Sequence, residues 1–291
     1  MKLIVSRTAG IILALGLAMG LAACSAIKLG YGTLPELAYW WLDGYVDFDD
    51  TQGPLARQEL ARLHGWHREQ ELPKLGELLG RVEQMAPGSI TAPQACAVIG
   101  EVQVRMNAVA ERAEPAILGL VATLSGEQLQ HLERKYRRNN DSYRKDWITA
   151  GPEAQREKRY EQMLDRLETI YGELADAQRN VLRQGIAQSM FDPQRVLNER
   201  KRRQQDLLQT LRRMAEPGVA PDTARTLLRG YLERTQRSPD TAYRAWQEAL
   251  LQESCRIFSA VHESTTAPQR EQAVRRLRAY QRDLRELSGR H

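Results

Sequence analysis

His64, His67 and Glu71 are the residues of this 291-residue chain whose types and spacing come closest to a chemical site. Spacings of three and four would place the three side chains on one helical face, within reach of a single metal ion. The arrangement lacks the internal glutamate of a zinc-protease helix, and Gly65 weakens the helix that would carry it. We therefore interpret these residues as surface polar groups and predict neither a metal site nor a cofactor.

Catalytic motifs are missing from the rest of the sequence. It contains no Gly-x-Ser-x-Gly elbow, no phosphate-binding loop and no dinucleotide fingerprint. Because no nucleophile is paired with a base, we assign no catalytic residue and expect a protein that is not an enzyme.

The first 23 residues have the parts of an export signal. Lys2 and Arg7 make the start positive, and residues 9–21 form an uncharged apolar run that is too short for an ordinary membrane span. Leu21-Ala22-Ala23-Cys24 resembles the cleavage site of bacterial lipoprotein signals, in which small residues precede a cysteine whose sulfur carries diacylglycerol. The resemblance implies that residues 1–23 are removed and that Cys24 is the site of S-diacylglycerol and N-acyl modification.

Such a modification would place the mature chain on a membrane, because several acyl chains together make a stable anchor. Ser25 after the cysteine resembles the signal for sorting to the outer membrane of Gram-negative bacteria. We expect a cell-envelope protein that is lipid-anchored at the outer membrane, faces the periplasm and binds no nucleic acid. An ordinary cleaved signal followed by an incidental cysteine is the alternative.

Charge is unevenly distributed along the mature chain. Residues 195–291 carry 20 basic and 12 acidic side chains, a net charge of +8, whereas residues 24–194 carry 20 and 25, a net charge of −5. A basic carboxyl-terminal third would favour an anionic lipid partner. Solvated, arginine-rich helix faces explain the same composition.

From Pro54 onward the sequence is a succession of amphipathic helical patterns, with no alternating stretch that would indicate a strand. The period is clearest in residues 91–124, where one apolar stripe is formed by Ala95, Ile99, Val102, Met106, Val109, Ala113, Ile117, Leu120 and Leu124. Pro115 should kink or divide this helix. We predict an all-α protein, an elongated bundle or stacked array of about seven amphipathic helices, with such stripes in its core.

Capping residues mark where several helices begin. Thr91-x-x-Gln94, Ser125-x-x-Gln128 and Thr266-x-x-Gln269 have the frame of a capping box, in which the hydroxyl and the glutamine each bond one free backbone N–H. Asp192-Pro193 and Ser238-Pro239 indicate two more starts, each a cap residue followed by proline.

The mature chain is divided by composition into an acidic aromatic segment at residues 24–52 and a helical domain at residues 53–291. Between residues 31 and 50 the segment holds six of the chain's 18 aromatic residues and five acidic residues, without one Lys or Arg. Its expected helical stripe, which should dock on the helical domain and leave Trp40 outside, consists of Leu34, Leu37, Trp41 and Tyr45. The candidate partner-binding residues are Trp40, Trp41 and Tyr45.

Cys96 and Cys255 are the cysteines that remain besides Cys24, in a compartment that permits disulfides. A bond between them would close a loop of 159 residues and stabilise the fold by about 5 kcal/mol in the loop-entropy description. Two buried free thiols are the alternative, since both residues lie in apolar helical stretches.

Three stretches carry a resemblance to a known family. They are Cys24-Ser25 with Tyr31 and Trp40-Trp41-x-x-x-Tyr45-x-Asp47, then Trp66-His67-Arg68-x-x-x-Leu72-Pro73, and finally Thr266-x-x-Gln269-Arg270 with Leu277-x-x-Tyr280-x-x-Asp283-Leu284. Together they resemble an uncharacterised family of Gram-negative lipoproteins, domain of unknown function 6279, which implies no particular activity. Leu124-Ser125-x-x-Gln128 is also similar to the Leu-Thr-x-x-Gln motif of Spy-type helical periplasmic chaperones, and a capping box by itself would produce it.

Three functional hypotheses follow. We expect a membrane-anchored lipoprotein with a structural role or a role in binding an envelope protein. A Spy-like chaperone or client-binding module is the alternative. An enzyme acting on envelope polymers ranks third, for want of a catalytic constellation.

Overall fold

The computed structural model describes residues 30–289, so the predicted signal and Cys24 lie outside the described residues. Within residues 30–289 there are eleven α-helices whose first and last residues are defined, and no strand. They are α1 (Leu34–Val46), α2 (Gln52–Trp66), α3 (Leu72–Met85), α4 (Ala92–Val121), α5 (Gly126–Arg144), α6 (Gly151–Tyr171), α7 (Asp176–Ala187), α8 (Pro193–Met214), α9 (Pro221–Gln236), α10 (Thr241–Ser264) and α11 (Ala267–Leu287). The all-α prediction is confirmed. None of these helices is long and apolar enough to cross a membrane.

The helix count exceeds the predicted number of about seven. Helix α7, of 12 residues, was not anticipated as a separate element. The remaining helices include α2 and α3, which run on through a π turn at His67–Glu71 as one rod over residues 52–85. A helix of about three turns offers few repeats of the apolar period, so it is difficult to separate from a neighbouring helix in the sequence.

Both π turns precede a proline. The first, His67–Glu71, comes just before Pro73, and the second, Lys145–Thr149, comes just before Pro152. A proline in a helix removes one N–H donor and its ring collides with the carbonyl four residues earlier, so a locally widened turn relieves the collision. Pro115 is accommodated differently, since α4 continues through it as a single helix and is not divided.

The buried apolar residues form two main clusters at different parts of the bundle. One cluster joins α6, α7, α10 and α11 through Tyr160, Leu167, Tyr171, Leu174, Leu182, Ile186, Ile257, Val261 and Ala273. The other joins α4, α5, α8 and α9 through Val121, Leu129, Leu132, Leu208, Leu211, Met214 and Leu228. Helix α4, 30 residues and therefore about 45 Å long, belongs to the second cluster at its carboxyl-terminal end and packs on α10 near its amino-terminal end.

Most of the predicted helix starts are confirmed. The capping boxes at Thr91 and Ser125 are present with both hydrogen bonds, the Thr266 backbone N–H donates to Gln269 Oε1, and Asp192 accepts hydrogen bonds from the first turn of α8. The prediction at Ser238 is wrong, because Asp240 caps α10 instead. Ser238 is fully buried and its hydroxyl donates to the carboxylate of Glu199, 3.1 Å away.

Two pairs of glutamines join the first turns of neighbouring helices by hydrogen bonds; we call such a pair an amide lock. Gln52 and Gln128 exchange amide hydrogen bonds between the first turns of α2 and α5, and Gln178 and Gln269 do the same between α7 and α11. Each pair also satisfies backbone carbonyls of the adjoining loops; Gln178 Nε2, for example, donates to the carbonyl of Ser264 at 2.9 Å. The helix start at Gln178 was not predicted from the sequence, because Ala175 occupies the position where a capping box has a hydroxyl.

Candidate functional site

Helix α1 has two apolar faces, and only one of them packs on the body. The packed face is centred on Tyr39, which is 6% exposed and lies against α2. The Arg57 guanidinium stands 3.5 Å above the Tyr39 ring, and the Tyr39 hydroxyl approaches Gly53 so closely that a Cβ there would be only 3.0 Å away. A glycine at position 53 therefore allows α1 to sit tightly on α2.

The other face of α1 is open to solvent. It consists of Leu34, Leu37, Trp40 and Trp41, whose exposed fractions are 45%, 59%, 62% and 63%. With 3.6 residues per turn these four side chains and Gly44 cover an arc of about 120° that contains no charged residue. We call this arc the outer face of α1.

The predicted docking of Leu34, Leu37 and Trp41 on the body is therefore wrong. Because both faces of α1 are apolar, its sequence fits either orientation, and the structure places Tyr39 inward. Trp40 and Trp41, both predicted to bind a partner, are both exposed.

Tyr45, the third candidate partner-binding residue, lies in the contact between α1 and α5. Its hydroxyl accepts a hydrogen bond from Asn139 Nδ2 at 2.7 Å, and its ring centroid lies 6.1 Å from that of Tyr136. The Trp41 ring covers its outer side, with 4.8 Å between centroids. Tyr45 thus lies between the Trp41 ring of the outer face and helix α5.

The chain just before α1 is fixed to the body by Tyr31. Its hydroxyl lies 2.9 Å from Nδ1 of His67, and its ring lies 4.5 Å from that of His64. Burial raises the pKa of Tyr31 to about 12, and burial also lowers the pKa of His67. The phenol therefore stays protonated and the imidazole stays neutral near pH 7, so the hydrogen bond joins two uncharged groups.

Two of the three residues first considered as metal ligands, His67 and Glu71, have other partners. Nδ1 of His67 is taken by Tyr31, and Glu71 is almost fully buried beside two cations: Lys74 Nζ at 2.7 Å and Arg105 Nη1 at 3.6 Å. No group of His, Cys, Asp and Glu residues between 30 and 289 has an arrangement that could hold a metal ion. Glu71 instead joins the π turn to α4 through Arg105.

Two of the three stretches that carry the family resemblance meet directly at this π turn. Tyr31 bonds to His67, and the next residue, Arg68, donates from Nε to the carbonyl of Leu287 near the end of α11. The first described turn, the middle of the α2–α3 rod and the carboxyl-terminal end of α11 are therefore held at one place.

Cys96 in α4 and Cys255 in α10 form a disulfide, with their Cα atoms 5.6 Å apart. The bond lies in a small apolar cluster with Ile90 and Ala95. It joins the amino-terminal end of α4 to the middle of α10, so it links helices that belong to the two different main clusters.

The middle of α4 is a second exposed apolar surface. Ile99, Val102 and Met106 are 36%, 40% and 64% exposed, whereas Ala95 at the start of the same stripe is buried and its later residues, from Val109 onward, are partly buried. The prediction that the whole stripe forms core is therefore wrong in its central part. Helices α10 and α9 cover α4 near its ends, and no described residue buries these three side chains.

The basic carboxyl-terminal third is extensively ion-paired. Arg202 and Arg203 both bond the buried carboxylate of Glu199, and Arg234 bonds Asp206 at 2.7 Å. Arg229 bonds Glu114 of α4 at 2.7 Å. Much of the positive charge counted in the sequence thus joins helices within the body.

The fold and these contacts define an all-α protein with a disulfide between its two clusters and two uncovered apolar surfaces. The chain belongs to a family of unknown function, DUF6279, whose model matches residues 44–233. The family resemblance seen in the sequence is therefore confirmed. No curated protein and no solved structure matches the chain.

Proposed function

We propose that this protein is an envelope lipoprotein, held on a membrane by acyl groups at Cys24, whose helical body has a structural role or binds another envelope protein. The single observation that carries the binding role is the uncovered stripe of Ile99, Val102 and Met106 in α4. Contiguous apolar side chains left exposed to water between the covered parts of one stripe are typical of a surface that another molecule covers.

Two features support the envelope location. The Leu21-Ala22-Ala23-Cys24 sequence supplies the lipid site. The Cys96–Cys255 disulfide suits an oxidising compartment such as the periplasm, since cytosolic thiols are kept reduced.

Membrane anchoring is tested with Cys24→Ala. We expect this variant to remain an unprocessed precursor and to lose labelling by a radioactive fatty acid, whereas Cys96→Ala, the matched control, keeps both processing and label. A Cys24→Ala chain that is still labelled and has the mature size would refute the lipid site.

The binding role is tested by placing a photoreactive amino acid at position 106 in cells. Glu111 is the matched control position, because it is exposed on the opposite side of the same helix. We expect one discrete adduct from position 106, none from position 111, and loss of the adduct when Val102→Asp is added to a chain that folds normally. Equal adducts from both positions would contradict the proposal.

A Spy-like client-binding module is the second candidate. Exposed Met106 favours it, because a flexible thioether adapts to varied apolar surfaces, and the Leu124-Ser125-x-x-Gln128 frame resembles the motif of those chaperones. In that case position 106 should give many adducts, and the purified protein should suppress aggregation of an unfolded model client.

A further inference from the structure

The distance between the predicted lipid site and the body is limited by chain length. Seven peptide units separate Cys24 from Tyr31, and even a fully extended chain covers at most about 25 Å over that length. Tyr31 is fixed to the body by His67 and His64, and α1 begins three residues later. Acyl groups at Cys24 would therefore hold the start of α1 close to the bilayer surface.

The outer face of α1 has the composition of a membrane-interface surface. Two indole rings and two leucines project into solvent, and α1 itself contributes no charged residue to the arc; the Arg57 guanidinium lies at its edge, 5.3 Å from the Trp40 ring. Tryptophan is enriched at headgroup depth because its ring is apolar and its N–H still reaches polar groups. With 13 residues, α1 is about 20 Å long, which suits a helix that lies along the surface and does not cross it.

The charges around α1 select the kind of lipid. Glu36 pairs with Arg57, and beyond the carboxyl-terminal end of the helix Asp47, Asp49 and Asp50 are exposed. These carboxylates would repel an anionic surface, so the face fits a zwitterionic one.

We propose that the outer face of α1, formed by Leu34, Leu37, Trp40 and Trp41, lies in the headgroup region of a zwitterionic bilayer beside the lipid anchor. This inference rests on the lipid anchoring proposed above. The body then lies on the membrane in one orientation, with α1 as its contact, and does not swing at the end of a tether.

The test uses the full mature chain with its acyl groups, reconstituted in phosphatidylcholine vesicles whose acyl chains carry bromine near the headgroup. We expect bromine to quench the tryptophan fluorescence, and Trp40→Phe with Trp41→Phe to reduce the quenched fraction about twofold or more, since these two of the five tryptophans face the lipid. Trp147→Phe is the matched control and should leave the quenching unchanged. Replacing half of the lipid by phosphatidylglycerol should not increase it.

Each contrary outcome is distinguishable. Mass spectrometry that finds no acyl groups on the chain overturns both the anchoring and this inference. An acylated chain whose quenching is absent, or insensitive to the two Phe substitutions, overturns the inference and leaves the anchoring in place. A photo-crosslink from position 41 to a protein, without quenching in vesicles, assigns the outer face to that protein instead.

Discussion

The hydroxyl of Tyr31 and Nδ1 of His67 form a 2.9 Å hydrogen bond, which joins the first described turn to a π turn 36 residues further along the chain. The bond is half-buried and joins two neutral groups, because burial raises the pKa of Tyr31 and lowers that of His67. It fixes the chain just before α1 to the body.

We expect Tyr31→Phe to lower the free energy of unfolding by about 1 kcal/mol, the usual net value of one hydrogen bond. A double-mutant cycle with His67→Gln, followed by urea unfolding, measures the coupling between the two side chains. The expected coupling is about 1 kcal/mol. Additive effects of the two substitutions would show that the hydrogen bond contributes nothing to stability.

The two faces of α1 should differ sharply in their contribution to stability. Tyr39→Ala removes a buried ring and should cost about 3 to 5 kcal/mol. Trp41→Ala removes a ring that is mostly exposed and packs on Tyr45, and should cost less than about 1 kcal/mol. Thermal and urea unfolding of the two variants measure the difference in the free energy of unfolding. A larger loss of stability for Trp41→Ala than for Tyr39→Ala would show that Trp41, and not Tyr39, faces the body.

The amide lock between α7 and α11 should be needed for stability. Gln178→Ala leaves the carbonyl of Ser264 and the N–H of Ala175 without their present partner, so we expect a loss of about 2 kcal/mol. Gln184→Ala, on the exposed side of the same helix, is the control and should change stability by less than about 0.5 kcal/mol. Equal effects of the two substitutions would show that the hydrogen bonds of Gln178 do not contribute to the stability of the fold.

Stability should fall in mild acid because of His262. This fully buried imidazole accepts from the Tyr171 hydroxyl at Nδ1 and donates from Nε2 to the Gly88 carbonyl; burial, opposed by that carbonyl and assisted by Arg270, lowers its pKa. The unfolded chain then binds a proton more readily than the folded chain. The free energy of unfolding therefore decreases as the pH falls through about 6.5 toward the folded-state pKa, and levels off below it.

Urea unfolding between about pH 7.5 and about pH 5.5 tests this prediction, with His262→Asn as the comparison. The variant should show a shallower pH dependence than the wild type. Some slope should remain, since burial also lowers the pKa of His67. An unchanged slope in His262→Asn would show that the acid sensitivity arises elsewhere.

The helical class and most helix starts could be predicted from the sequence because they depend on local interactions. A capping box such as Thr91 with Gln94 satisfies backbone N–H groups within one turn, so the residues that form it are adjacent in the chain. The Cys96–Cys255 pair was recognised as a candidate, although the sequence left free thiols equally open. The lipid site at Cys24 stays a prediction, since it lies outside the described residues.

The orientation of α1 and the exposure of α4 were decided only by the tertiary structure. Both faces of α1 are apolar, so local periodicity does not distinguish the face of Tyr39 from that of Trp41; the choice depends on Gly53 and Arg57 in another helix. The apolar stripe of α4 is continuous, but other helices cover α4 only near its ends. Met106, in the middle of the stripe, is therefore exposed. Periodicity reports which residues of a helix would prefer to be covered, and the positions of the other helices determine which of them are.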